Sequence, residues 1–285
     1  MRVNLINDNK MEEVKNKNIF TLFLKPWPDK DLYELARLVK YLGFDGVELP
    51  IRKNYQVTPK NVSTYLPKAV KIFKQFGLSI RSVTSDPSEY IISVCGDLGI
   101  PIIRVMAEID TKIGYYATEK YLRQKYDKLL PFLDKYGVVL GVQNHCGNMV
   151  NSSIGLMHLI EQYDRNLVGA ILDIGHCGLA GEPERMAIDI VWSHLVLVNF
   201  KNAYWEKITC SNNSEPKWYH HFTLGNQGFA SWRKIVNELK RRKYKGDICF
   251  SAEYTDTDTL DQIYGDKVNN LIEHDLRYAR KLFNE

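Results

Sequence analysis

Four apolar runs in the second half of the chain end in side chains that carry oxygen or nitrogen. Val138 to Val142 runs into Gln143, Asn144 and His145, and Leu167 to Leu172 runs into Asp173, with His176 just beyond. Leu195 to Val198 leads to Asn199, Lys201 and Asn202, and Ile248 to Phe250 leads to Glu253. Strand alternation puts Gln143 with His145 and Asn199 with Lys201 on shared faces, so Gln143, Asp173, Asn199 and Glu253 could converge. Two carboxylates and two amide carbonyls suit a hard divalent ion such as Mg²⁺ or Mn²⁺ better than a thiolate-loving metal. His145 and His176 can move protons near neutral pH. Lys201 and Arg104 can hold an oxyanion, a carboxylate or a phosphate.

Each of these residues also has a structural reading. His145 could be a satisfied core histidine. Glu48 could form a salt bridge with Arg52 or Arg104, and Lys201 could be the charge partner of Asp173 or Glu253. Cys146 and Cys177 lack the base partner that a nucleophile needs and read as small loop residues.

The elements that must position these groups form a repeating unit, in which an amphipathic helix ends in glycine and a short apolar run follows. Apolar residues at 32, 35, 36, 39 and 42 have helical spacing, Gly43 stops the helix, and GVELP follows. Pro67 to Phe76, with proline in the first turn, then Gly77 and LSIRSVT, repeats the pattern. Eight apolar runs are centred near residues 22, 47, 81, 103, 140, 171, 197 and 250. Short β-rich runs alternating with helices imply a parallel sheet, and eight of them fit a (β/α)₈ barrel. A doubly wound open sheet would carry a glycine-rich loop after its first strand, and FLKPWPDKD is not one. The barrel is assigned to residues 18–285 as a single domain, preceded by a polar lead-in over 1–17. The polar stretch EKITCSNNSEPK (206–217) reads as a long loop. In such barrels the C-terminal strand ends build the active site. That adds Trp27, Glu48, Arg52 and Arg104 to the candidates.

Bulk properties narrow the partners. Among 285 residues, 38 basic and 34 acidic side chains leave a formal net charge of +4, too small and too dispersed for a nucleic-acid or anionic-membrane surface. No run is long and apolar enough to span a bilayer, and the N-terminal residues lack a signal-peptide core. Five cysteines without CxxC spacing read as reduced thiols in a cytoplasmic protein.

Taken in order, several motifs resemble the xylose-isomerase-like TIM-barrel superfamily, which holds sugar isomerases and epimerases, inosose dehydratase and endonuclease IV. LGFDGVELP resembles its second strand, with Glu48. VGAILDIGHCGLAGEP resembles its D-x-x-H and G-x-P turn, LVNFKNA its H-x-K-D, FTLGNQGFASW its G-E-G turn, and GDICFSAEY its last strand. The resemblance implies one divalent ion held by Glu, Asp, His and Glu, at positions that are here Gln143, Asp173, Asn199 and Glu253. Two ligands are thus amides, and the family's next Asp is Asn202. In the family's epimerases the two metal-bound glutamates exchange protons on opposite faces of the substrate. Gln143 cannot accept a proton near neutral pH, so that symmetric scheme should fail here. His221 stands where endonuclease IV has one of its metal histidines, but most of that three-zinc set is missing.

The expected function is a sugar isomerase or epimerase that abstracts a proton next to a carbonyl of a sugar or keto-sugar. A lyase or dehydratase acting on a keto-glycoside or inosose is the alternative, and a non-catalytic carbohydrate-binding or partner subunit is the alternative of another class. Catalytic candidates are His145, His176, Glu253, Lys201 and Glu48. Substrate-binding candidates are Arg104, Arg52, Trp27, Asn144, Asn202 and His221. The metal would be weakly held Mn or Mg, with Zn, Co or no metal as alternatives. Expected partners are a small sugar-derived molecule and further copies of the chain, since family members are often oligomers.

Overall fold

The computed structural model describes residues 18–209 and 215–285. The polar lead-in over 1–17 and Cys210 lie outside the described residues. All eight apolar runs form barrel strands: β1 (Ile19–Phe23), β2 (Gly46–Pro50), β3 (Ser79–Thr84), β4 (Ile102–Met106), β5 (Val139–Gln143), β6 (Val168–Asp173), β7 (Leu195–Phe200) and, after a hairpin, β10 (Asp247–Phe250). The hairpin strands are β8 (Asn202–Lys207) and β9 (Trp218–Thr223). The barrel closes in the order β1-β10-β7-β6-β5-β4-β3-β2, all pairs parallel. The fold is a single-domain (β/α)₈ barrel.

Helices fill the crossovers: α1 (Leu32–Leu42), α2 (Val62–Gln75), α3 (Glu89–Asp97), α4 (Tyr115–Tyr136), α5 (Ser153–Ile160), α6 (Ile174–Leu179), α7 (Glu184–Val191), α8 (Trp232–Arg241) and α9 (Asn269–Asn284). Local chemistry sets their ends. Asp31 and Glu34 form a reciprocal capping box at the start of α1, and Gly43 ends it at φ 89°, a left-handed conformation that costs glycine little. Among the described residues, no helix is long and apolar enough to cross a membrane.

Two local readings differ from the structure. Pro67 lies inside α2, which begins earlier, at Val62, because Val62 and Leu66 bury on the face shared with Ala69 and Phe73. The stretch 206–217 is partly strand: Glu206 and Lys207 pair with Tyr219 and Trp218 at the end of the β8–β9 hairpin. Aromatic residues in NAYWEK and WYHHFT favour these two strands.

Inside the barrel, Phe23, Ile102, Ile171, Leu197 and Cys249 form a separate apolar cluster. The register sets Gln143 level with Ile171, Asp173 with Asn199, and Asn199 with Cys249. A Cβ at Gly141 would stand 2.5 Å from Ile171 Cδ1, so Ile171 uses space that only glycine leaves. Replacing fully buried Ile171 with alanine should destabilise the barrel by about 2–5 kcal/mol, read as a lower urea midpoint with unchanged slope. An unshifted midpoint would contradict this packing.

Candidate active site

The polar strand ends meet in one buried chain of charges across the barrel mouth. From β2, Glu48 takes Arg104 Nε at 2.5 and 3.1 Å and the Ser82 hydroxyl at 3.1 Å. Arg104 Nη1, from β4, donates to Gln143 Oε1 on β5. Gln143 Nε2 donates to Asp173 Oδ2 on β6 at 2.7 Å. Lys201, just past β7, sets its ammonium 3.5 Å from Asp173 Oδ2 and 2.8 Å from Glu253 Oε2. Lys25, past β1, binds the other oxygen of Glu253. Carboxylates and cations thus alternate: Arg104 with Glu48, and Lys201 and Lys25 with Asp173 and Glu253. An unpaired ion at this depth would cost several kcal/mol, so each charge depends on its neighbour.

Titration follows from these contacts. Burial alone would raise the Glu253 carboxyl, but Lys201 and Lys25 outweigh it and hold it below the usual range. Burial alone would lower the Lys201 ammonium, but Asp173 and Glu253 outweigh it and raise it. Burial holds the Asp173 carboxyl above its ordinary value, with Lys201 and the His176 amide opposing.

Two histidines stand over this chain, their ring centroids 3.9 Å apart. His145 Nδ1 is 2.9 Å from the Cys146 carbonyl, which can only accept, so Nδ1 carries the proton and Nε2 the lone pair. Burial, then the Lys201 charge, push His145 down to about 4. His176 is fully buried, and neither ring nitrogen has a hydrogen-bond partner among the described residues. Its Nε2 lies 4.0 Å from Asp173 Oδ2, and burial lowers it well below its ordinary value. Both imidazoles are therefore neutral at physiological pH.

Other candidates lie apart from this chain. Asn144 ties β5 to β6 by receiving the Asp173 amide at 2.8 Å and donating to the Asp173 carbonyl at 3.1 Å. Asn202 is fully used by Gly225, Ala230 and Ala203 main-chain groups. His221 sits in the hairpin, stacked on Tyr204 and 2.8 Å from Glu206. Trp27 is 1% exposed and its indole donates to Asn269, which leaves no open face for a sugar ring. Arg52 lines a 410 Å³ cleft over the ends of β2, β3 and β4, together with Arg104. Lys25, which the sequence places at the end of the first strand, and Ser82 complete the network although neither is among the candidate site residues. A lysine just beyond an apolar run reads as a solvated end, and only barrel closure carries it to Glu253.

The four positions that the family resemblance associates with a divalent ion do not present a hard-metal donor set. Arg104 has only N–H groups to offer, so it fixes the oxygen of Gln143 toward itself and the NH₂ toward Asp173. Asn199 also points its NH₂ at Asp173, at 3.5 Å. Both Glu253 oxygens are taken by ammonium groups, and Asp173 Oδ1 accepts the His176 N–H at 3.1 Å. Of the set, only Asn199 Oδ1 is buried without a partner. A better fit for a metal lies beside it. His145, Cys146 and His176 hold ligand atoms within 4.8 Å of one another, a nitrogen–sulfur set suited to Zn²⁺.

Two predictions test this geometry. Millimolar Mn²⁺ or Mg²⁺ should leave the melting temperature of the wild-type protein unchanged, whereas Lys201→Ala, which removes the resident cation, should acquire a Mn²⁺-dependent rise. Manganese stabilisation of the wild type would overturn the charge assignment. The second concerns pH. Unfolded His145 binds its proton near pH 6.5 and the folded residue only near 4, so its contribution is complete above 6.5 and drains as pH falls toward 4. That amounts to about 3 kcal/mol at roughly 1.4 kcal/mol per pH unit. His145→Phe should flatten the acid side of a stability–pH curve, and a mutant curve parallel to wild type would refute the depressed value.

Solved structures share this architecture. A D-psicose 3-epimerase from Clostridium cellulolyticum H10, determined with D-tagatose, superposes with TM-score 0.69 at 14% identity, over 93% of this chain and 99% of that one. A 3-keto-D-glucoside 4-epimerase from E. coli gives 0.69 at 14% identity, over 93% and 100%. A probable 3-DHS dehydratase from Bacillus anthracis gives 0.65 at 11% identity, over 92% and 98%. At these identities the likeness is one of fold. No curated protein matches the chain. The family model described as xylose isomerase-like TIM barrel matches residues 36–282, and the chain belongs to that family.

Proposed function

We propose that this protein is an enzyme that moves a proton at the carbon next to the carbonyl of a sugar or keto-sugar, in the manner of an isomerase or epimerase. The observation that carries the reading is the pairing of a neutral imidazole at the mouth, His145 with its Nε2 lone pair, with the ammonium and guanidinium groups of Lys25, Lys201 and Arg104. Proteins of similar fold include a D-psicose 3-epimerase determined with D-tagatose and a 3-keto-D-glucoside 4-epimerase, which supports a sugar as the substrate.

The chemistry follows from the groups present. His145 Nε2 takes the α-proton, the C–H pair becomes the enediolate double bond, and the carbonyl pair moves onto oxygen. An ammonium aimed at that oxygen stabilises the charge as it forms, without reorganising solvent. The proton then returns to carbon. No step needs a metal at Gln143, Asp173, Asn199 and Glu253. Free, buried Cys95, Cys146, Cys177 and Cys249 suit a reducing compartment such as the cytoplasm.

One observation favours elimination as a second reading. His145 and His176 lie side by side, and Gln143, at the position where the resemblance implies one of two proton-moving glutamates, is an amide that cannot act as a second base. One base and one adjacent acid suffice for a lyase or dehydratase acting on a keto-glycoside or inosose.

The test is ¹H NMR in D₂O with a panel of ketoses, keto-glycosides and inososes, together with ketose phosphates and keto-sugar acids. Wild type should exchange the α-proton of at least one substrate, and His145→Ala should slow that exchange by about 10²–10⁴-fold. The rate should be level from pH 6 to 8 and decline toward pH 4, as His145 becomes protonated. Loss of a β-substituent alongside exchange selects the lyase. Saturable sugar binding with no exchange anywhere in the panel would sink the enzymatic reading and leave a binding protein.

A further inference from the structure

The 410 Å³ cleft beside the charged chain is lined by Arg52, Thr84, Ser85 and Arg104 together with Lys125 and Tyr126. Its polar groups are unevenly satisfied. The two arginines both lie over the ring of Phe23, Arg104 at 4.5 Å and Arg52 at 5.8 Å from its centroid. Arg104 is held by Glu48 and Gln143. The Arg52 guanidinium, half-buried, has no ion pair and no side-chain hydrogen bond among the described residues. Its main chain is fixed all the same: Arg52 N–H donates to the Val57 carbonyl at 3.1 Å, and Ile51 bridges to Val57.

Two hydroxyls in the same cleft are also without partners. Thr84 Oγ1 and Tyr126 Oη are buried and make no hydrogen bond, with Thr84 3% and Tyr126 2% exposed. A buried hydroxyl left in that state costs about 1–3 kcal/mol. A ligand able to accept from a guanidinium and hydrogen-bond to hydroxyls would relieve all three groups. Burial and the nearby Arg104 charge hold Arg52 below its ordinary value, and the two guanidinium groups make their part of the cleft electropositive. The acidic groups of the lining, Asp86 and Glu108, are exposed and belong to the rim.

We infer that this cleft is the anchoring subsite for an anionic substituent of the substrate, a carboxylate or a phosphate held by Arg52 with Thr84, and that the substrate is therefore a sugar acid or a sugar phosphate rather than a neutral sugar. The inference rests on the sugar-directed reading of the barrel mouth. Arg104, which belongs both to the cleft and to the charged chain, links the anchor to the reacting end. A guanidinium meets either oxyanion with two parallel N–H donors, which a lysine could not do.

Binding can be separated from turnover. Isothermal titration of the intact protein with inorganic phosphate, gluconate, gluconate 6-phosphate and neutral fructose reads the anchor alone. The anionic probes should bind at least tenfold more tightly than fructose. Arg52→Gln should remove that preference, Arg52→Lys should keep part of it, and His145→Ala should leave it intact. Gluconate binding above phosphate selects a carboxylate, and the reverse order selects a phosphate. Equal binding of fructose and the anions, or an anion preference that survives in a folded Arg52→Gln protein, overturns the inference. If anions bind through Arg52 but no substrate in the NMR panel exchanges a proton, the anchor stands and the proposed reaction fails.

Discussion

The ammonium of Lys201 between Asp173 and Glu253 is the contact on which the rest of the mouth depends. Two carboxylates buried this close repel unless a cation lies between them. A diffusible divalent ion is one answer, and a tethered lysine is another. Here the lysine is built in. A Cβ at Gly175 would stand 2.9 Å from Lys201 Cγ and 3.0 Å from its carbonyl oxygen, so the first turn of α6 can approach only because residue 175 is glycine. Trp232 donates its indole N–H to the Lys201 carbonyl at 3.3 Å, and the ring of Phe222 lies 4.5 Å from the ammonium. The β8–β9 hairpin therefore contributes to the site by placing Phe222 against a charge, where its ring face is attractive and excludes water.

Gln143 follows from the same arrangement. It stands between Arg104, which can only donate, and Asp173 Oδ2, which accepts. A primary amide satisfies both at once. A glutamate at this position would suit Arg104 but would set a second negative charge 2.7 Å from Asp173. The amide is thus the side chain that fits a site whose positive charge is supplied by lysine.

Much of this was legible in the sequence, for identifiable reasons. The eight strands show because each is a short β-rich apolar run between turn residues, a pattern that survives whatever the helices do. The strand-end position of Glu48, Arg104, Gln143, Asp173, Asn199 and Glu253 shows because the apolar run stops at them. Partners do not show. Both structural readings weighed for Glu48 and Lys201 describe contacts that exist, Glu48 with Arg104 and Lys201 with both carboxylates, but choosing among partners needs the closed barrel. Lys25 reaches Glu253 only because β1 pairs with β10 across the seam. Trp27 looked like a mouth aromatic by position, yet its indole points into the packing against Asn269. The hairpin escaped because the polar composition of 206–217 outweighs two short aromatic strands.

The mouth is consequently of two kinds. On the side of β5, β6, β7 and β10, the charged groups are spent on one another and can move little without leaving a buried charge alone, while the His176 ring and Asn199 Oδ1 stay unpartnered but neutral. On the side of β2, β3 and β4, a guanidinium and two hydroxyls remain unspent around an open cleft. Preorganised charge is useful where a reaction develops charge, because nothing need reorient when the oxyanion forms. Unspent donors are useful where a substrate must be gripped, because binding then supplies partners the protein lacks. Under the proposed function, chemistry falls on the side of the paired charges and recognition on the side of the open cleft, with Arg104 on the boundary between them.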